Sequence, residues 1–145
     1  MNTILHMFLA AAATMGFSII FNVPKRELIF CGISGAAGWT VYTLITTFWA
    51  YSTIPATLFA AMTVTTLARF LSGLRKMPST IYMIPGIIPL VPGIGIYFTM
   101  FHIINGDNAA AVVQGVDALK IAGVIAIGLL IILSLPRKLF FLNRR

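Results

Sequence analysis

Charged residues are scarce in this sequence, and acidic residues are almost absent. Only 9% of the 145 residues are charged, and three Asp and Glu stand against ten Lys and Arg. A soluble domain carries roughly 25% charged residues, because about 30% of the unfolded surface of a fold this size stays in contact with water. Thirteen charged side chains cannot coat such a surface. With 59% hydrophobic residues, the composition predicts a protein whose surface faces lipid.

The sequence also lacks the residue sets on which most catalytic and metal sites are built. One cysteine, Cys31, excludes an intramolecular disulfide. Two distant histidines and one cysteine provide no metal-ligand spacing, and there is no Ser-His-Asp order, phosphate loop or dinucleotide fingerprint. We therefore predict no catalytic residue, no cofactor and no metal. Cys31 is interpreted as a small apolar packing residue, because a reactive thiol would need a nearby base.

The excess of basic residues does not indicate nucleic-acid binding, because the bases are not spread over one surface. Only Lys120 stands apart from three short groups, and each group follows an apolar run. Cytoplasmic loops of membrane proteins have this pattern under the positive-inside rule. The three groups are Lys25-Arg26, Arg69 with Arg75-Lys76, and Arg137-Lys138 with Arg144-Arg145.

Five apolar runs are long enough, at about 20 residues each, to cross a bilayer as helices. We predict an all-α integral membrane protein with one transmembrane domain over 1–145, multi-pass in the cell (plasma or inner) membrane. No Lys or Arg precedes the first run, so it is interpreted as a retained helix and not a signal peptide. Five spans place the N-terminus outside, and the C-terminus and all basic groups inside. The spans are about 3–21, 28–50, 54–74, 80–104 and 115–135.

The second run contains three glycines, Gly32, Gly35 and Gly38, spaced by three residues. Small residues let helix backbones approach closely in lipid, where no hydrophobic force drives helices together. The spacing therefore predicts a helix-packing stripe. The alternative is substrate access along the same face.

The fourth run is the most informative part of the sequence, because it concentrates residues that interrupt helices. Each proline removes a backbone donor and clashes with the preceding turn, so a regular helix cannot continue through three of them. Broken backbone at membrane depth must be buried in protein or line a wet cavity, and in transporters it marks the binding site. The alternative is a merely kinked helix. Eleven residues hold Pro85, Gly86, Pro89, Pro92, Gly93 and Gly95.

Few other polar side chains fall within the predicted spans. Arg69 lies near the basic end of the third run, where it either extends to the interface or faces an anionic substrate. Tyr97 follows the proline segment and would add a hydroxyl to a site there. Asp117 and Lys120 form an i,i+3 pair, predicted at the outer interface, with a buried functional pair as the alternative.

No acid is predicted at the bilayer midplane. Glu27 falls in an inner loop, and Asp107 and Asp117 fall on the outer side. Intramembrane proton relays use Asp, Glu or His, so a coupling acid would belong to another chain. Secondary transporters commonly have two related repeats, and five spans would be one half of such a protein.

Several of these features together resemble the threonine/serine exporter family, in its small, split-subunit type. The resemblance covers nearly the whole chain, and its most specific part is the Pro-Gly-x-x-Pro-Leu-Val-Pro-Gly element. It implies a larger membrane subunit as partner and efflux of threonine and serine, with dicarboxylates such as succinate for some split members. The soluble N-terminal region of the family is expected in the larger subunit. The matching residues are Pro24, Leu28, Gly32, Gly35, Gly38-Trp39, Lys76-Met77-Pro78, 84–93 and Tyr97.

The predicted function is therefore that of a transporter subunit in the lipid bilayer, acting with the larger subunit on a small amino acid or carboxylate. The alternative is an assembly subunit that only supports its partner. A membrane-embedded enzyme is a third reading, disfavoured by the missing nucleophile and base. The predicted substrate-binding residues are Arg69, Pro85, Gly86, Pro89, Pro92, Gly93 and Tyr97.

Overall fold

Helices make up all the regular structure in the described part of the chain. The computed structural model describes residues 3–48 and 53–136, and these contain no β-strand. The predicted all-α class is therefore confirmed. The helices are α1 (Thr3–Ile20), α2 (Leu28–Phe48), α3 (Thr53–Arg75), α4 (Thr80–Ile87), α5 (Gly93–Ile104) and α6 (Asn108–Ser134), with short 3-10 helices at Lys25–Glu27 and Ile88–Leu90.

Three of these helices are long and apolar enough to cross a membrane: α2 with its preceding 3-10 turn, α3 and α6. Helices α4 and α5 meet at a bend of 54° and count as a fourth candidate if the bent pair is one span. Helix α1 is apolar but shorter than the other candidates. The described residues thus support three or four spans, and the fifth span and the orientation stay predictions.

Helix bounds differ from the predicted spans mainly at α6, which begins at Asn108 and not near 115. Asp107 caps it, because its Oδ1 accepts a hydrogen bond from the Ala110 amide at 3.1 Å. Lys120 Nζ lies 2.9 Å from Asp117 Oδ1, and both side chains are more than half exposed, so this ion pair is not buried. Residues 49–52, which include the end of the second predicted span, and the basic tail 137–145 lie outside the described residues.

The helices pack through small side chains. Helix α2 lies between α1 and α3, α6 packs against α3, and α4 packs against both α2 and α3. Lys25, Arg26 and Arg75 lie at one end of the bundle, called here the basic end. Near that end, Cys31, Ala68, Leu71 and Tyr82 form one buried cluster. A second cluster, called here the central cluster, contains Ala60, Ala61, Val64, Leu90 and Ile125.

The glycines of α2 face two different neighbours. A Cβ added to Gly35 would lie 1.9 Å from Thr14 Oγ1 on α1, whereas one added to Gly38 would lie 2.4 Å from Val64 Cγ2 on α3. Three residues turn an α-helix by about 300°, so a stripe with this spacing winds around the helix. The stripe therefore holds α1 near the basic end of α2 and α3 nearer its middle.

Candidate functional site

The fourth apolar segment is broken at two residues. After the 3-10 helix, Val91 is extended, with φ −64° and ψ 134°. Pro92 has φ −75° and ψ 58°, and the Gly93 amide donates to the Val91 carbonyl at 2.8 Å. This is an inverse γ-turn. It redirects the chain so that the segments on either side are inclined by 54°.

The break is narrower than the proline and glycine content predicted. Pro85 and Gly86 lie inside α4, and Pro89 lies within the 3-10 helix. Because Pro85 has no amide hydrogen, the Ile81 carbonyl loses the donor that an α-helix would give it. The Cys31 thiol of α2 donates to that carbonyl at 3.4 Å. Cys31 thus does more than fill space, because it supports the helix around Pro85.

This contact predicts a difference between two substitutions at Cys31. Cys31→Ala leaves the part-buried Ile81 carbonyl without the thiol and is expected to lower the free energy of unfolding by about 1 kcal/mol. Cys31→Ser keeps a donor at the same place and should stay closer to wild type. Unfolding of the purified protein in detergent, followed by circular dichroism, measures both. Equal stability of the two variants would contradict a supporting role for the thiol.

The α4 part of the predicted site is enclosed by other helices. Pro85 and Gly86 are buried, and a Cβ on Gly86 would lie 2.8 Å from Val64 Cγ1 and 3.0 Å from Ser34 Oγ. Gly86 is therefore the point where α4 meets α2 and α3 most closely. On its other side, α4 borders a cavity of about 270 Å³ between the α1–α2 connection and α4, a volume suited to a small solute. Its walls are mostly apolar and are formed by 21–24, Thr80, Ile81, Ile84 and Pro85.

The α5 part of the predicted site is open. A Cβ on Gly93 would meet nothing within 4 Å, and Tyr97 is 63% exposed. No residue of α5 is buried, and no side chain caps its N-terminus. The first amides of α5 therefore have no carbonyl within their own helix to bind, and they carry the positive end of the helix dipole.

Arg69 lies apart from both groups. It is 8% exposed, and its Nη1 donates to the carbonyl of Ile132 and to that of Leu133, the latter at 3.5 Å. These carbonyls belong to the last turn of α6, where a cation also complements the helix dipole. The structure thus does not bring the seven predicted residues into one cavity, and their contact with substrate stays a prediction.

A buried charged cluster at the basic end was not predicted. Glu27 is 5% exposed, and its carboxylate accepts hydrogen bonds from Arg75 Nε at 3.1 Å and Nη2 at 2.8 Å. The Tyr82 hydroxyl donates to the same carboxylate at 2.6 Å. The Arg75 guanidinium also lies 4.5 Å from the centre of the Phe30 ring, a cation–π contact.

This cluster ties three chain segments together beside the cavity. Glu27 precedes α2, Arg75 ends α3, and Tyr82 lies in the first turn of α4. It therefore fixes the start of the broken segment relative to the two helices on which it packs. The sequence held one clue, because Glu27 is the only acidic residue before Asp107 and follows two basic residues directly. No group of three His, Cys, Asp or Glu within residues 3–48 and 53–136 is arranged to hold a metal.

Comparison with known proteins gives a matching family and relatives among curated proteins. The family model described as threonine/serine exporter, ThrE, matches residues 6–135. An uncharacterized protein of Haemophilus influenzae is 28% identical over 142 aligned residues, covering 93% of this chain and 46% of that protein. The chain thus spans about half the length of this curated relative. No solved structure matches it significantly.

Proposed function

The chain belongs to the threonine/serine exporter family, and we propose from this premise that it is one subunit of a secondary transporter. The complete transporter would export small amino acids such as threonine and serine, or small carboxylates, across the cell membrane. Membership of the family implies transport of the exporter type and favours a transporter over an enzyme. The observation that supports a direct role in transport is the break at Val91–Pro92.

The break supplies polar backbone where the membrane otherwise offers none. Interrupted helices leave amides and carbonyls without helical partners, and such groups in transporters contact substrates and ions. Here the uncapped start of α5 is flanked by Gly93, which is exposed and leaves open space beside the backbone. A substrate carboxylate is the natural partner for amides at the positive end of a helix.

We propose that a larger membrane subunit covers α5. Ile94 is 75% exposed and Ile104 is 84% exposed, and the main contacts of α5 are with α6. Broken backbone inside a bilayer needs protein or water around it, not lipid. The relative of about twice this length supports a complete unit with a second membrane part. In this arrangement the chain crosses the membrane five times, with its basic end inside.

Efflux measurements test whether transport requires both subunits. Cells that lack their own exporters would be loaded with L-threonine, L-serine or succinate and given this chain, the larger subunit or both. We expect efflux of at least one compound only when both chains are present. Full efflux with the larger subunit alone would exclude this chain from the pathway.

Gly93→Leu separates a transport role from the alternative of a scaffold. The new side chain meets no other atom of this chain within 4 Å, so we expect the chain to fold normally. Co-purification with the larger subunit measures assembly, and efflux per assembled complex should fall roughly tenfold or more, because misplacing a substrate slightly is costly. Gly86 would be a poorer choice, since any side chain there meets Val64 and Ser34. Gly123→Leu on α6 is the control, because Gly123 also has open space beside it. Unchanged efflux in Gly93→Leu would favour the scaffold.

A further inference from the structure

Two buried polar side-chain atoms of α2 have no hydrogen-bond partner among the described residues. They are Ser34 Oγ and Trp39 Nε1. Ser34 has no exposed surface at all. Buried polar groups are nearly always paired in native proteins, so each exception calls for a functional or structural reason.

The isolation of Ser34 is unusual for this protein. Other buried hydroxyls bind the carbonyl four residues earlier: Thr14 at 2.8 Å, Ser18 at 2.7 Å and Thr65 at 2.7 Å. This local bond is the ordinary solution for Ser and Thr within a helix. Ser34 does not make it, although α2 provides the carbonyl of Phe30 one turn earlier. Its hydroxyl points instead toward α4, 3.0 Å from where a Cβ on Gly86 would be.

Trp39 lies further along α2, beside a cluster to which the fourth segment contributes one residue. Its side chain packs against the central cluster, which includes Leu90, the last residue before the break. Its ring stacks on Tyr42 at a centroid distance of 5.2 Å. Five residues separate Ser34 from Trp39, which is about 7.5 Å along a helix axis. They also lie about 140° apart around the helix. Ser34 therefore faces Gly86 of α4 directly, whereas Trp39 reaches the level of Leu90 through the central cluster.

We propose that Ser34 and Trp39 are substrate-binding residues. Each donates a hydrogen bond to the carboxylate of the transported molecule, one after the other, as the molecule passes. A hydroxyl and an indole N–H are both donors, and a carboxylate is the strongest acceptor among small metabolites. The Ser34 oxygen can also accept a bond from a substrate ammonium group. The substrate would pass between α2 and the fourth segment, where the glycine at 86 places no side chain over the Ser34 hydroxyl. This inference rests on the proposed function and adds the residues that recognise the substrate.

The test uses Ser34→Ala and Trp39→Phe in the complex with the larger subunit, with Ser18→Ala as a matched control. Ser18 is also a fully buried serine, but its hydroxyl is bonded within α1. Two quantities are measured: the L-threonine concentration that gives half-maximal efflux, and the rise in melting temperature on adding L-threonine. We expect each test variant to need about tenfold more L-threonine in both assays, the effect of one hydrogen bond to a charged group.

The two test variants should retain the melting temperature of wild type in the absence of ligand, since neither loses an existing hydrogen bond. Ser18→Ala should keep the wild-type response to L-threonine. If wild type exports L-threonine and both test variants match it, the inference is wrong and the proposed function stands. If wild type neither exports nor binds L-threonine, L-serine or succinate, the proposed function fails and this inference falls with it.

Discussion

Replacing Arg75 with Ala is expected to lower the free energy of unfolding by more than replacing Glu27 with Ala does. The variant leaves the Glu27 carboxylate, whose side chain is 7% exposed, without its cation. Glu27→Ala should cost less, about 1–3 kcal/mol, because the remaining Arg75 side chain is 37% exposed and can reach water. Arg75→Ala has the larger effect because it leaves a buried charge, that of Glu27, without a partner. Glu27→Ala leaves the charge of Arg75, which can reach water.

Cys31 provides the measurement for this prediction. It is the only cysteine in the chain and is fully buried, so its labelling by a maleimide in increasing denaturant reports unfolding. Lys120→Ala is the control: it removes an ion pair in which both side chains are more than half exposed, and it should change stability by less than about 1 kcal/mol. An Arg75→Ala protein as stable as Lys120→Ala would show that the Glu27 cluster does not hold the basic end together.

Gly35→Ala is expected to cost about 1–3 kcal/mol by overpacking, and more than Gly32→Ala. The new methyl group would meet Thr14 at 1.9 Å from Oγ1 and 2.8 Å from Cβ. Thr14 cannot turn aside without losing its 2.8 Å bond to the Ala10 carbonyl. At Gly32 the nearest atom is Met15 Cγ, 2.9 Å away, and methionine side chains adapt easily.

The same labelling of Cys31 ranks the glycine variants. Gly16→Ala in α1 is the control, since a Cβ there meets nothing within 4 Å. We expect Gly16→Ala to unfold at the same denaturant concentration as wild type or a higher one, because alanine is the better helix former. If Gly35→Ala unfolds at the same denaturant concentration as Gly16→Ala, the α1–α2 contact is not as close as the structure has it.

The existence of the break could be predicted from sequence, but its length could not. Proline fixes its own φ and cannot donate a backbone hydrogen bond, so three prolines within eight residues indicate an interruption. Pro85 nevertheless lies inside α4, where the Ile81 carbonyl accepts a hydrogen bond from the Cys31 thiol, 50 residues away. A proline motif carries no information about which helix will pack beside it.

The buried acid escaped prediction for the same reason. In the sequence, Glu27 has the context of a loop residue next to basic residues. Its hydrogen-bond partners are distant in sequence: Arg75 is 48 residues away and Tyr82 is 55 residues away. Six of the seven predicted substrate-binding residues lie within 85–97, and nearness in sequence does not show which way each one faces. A 54° bend between the two halves separates the enclosed Gly86 from the open Gly93.

The packing of α4 has a consequence for how the protein is made. Translation proceeds from the N-terminus, so α1, α2 and α3 are synthesised before the first residue of the proline-rich segment. The buried surface of α4, formed by Tyr82, Pro85 and Gly86, lies against α2 and α3. The helices against which α4 packs are therefore made before α4 itself. In the reverse order, α4 would enter the bilayer before the helices that bury it.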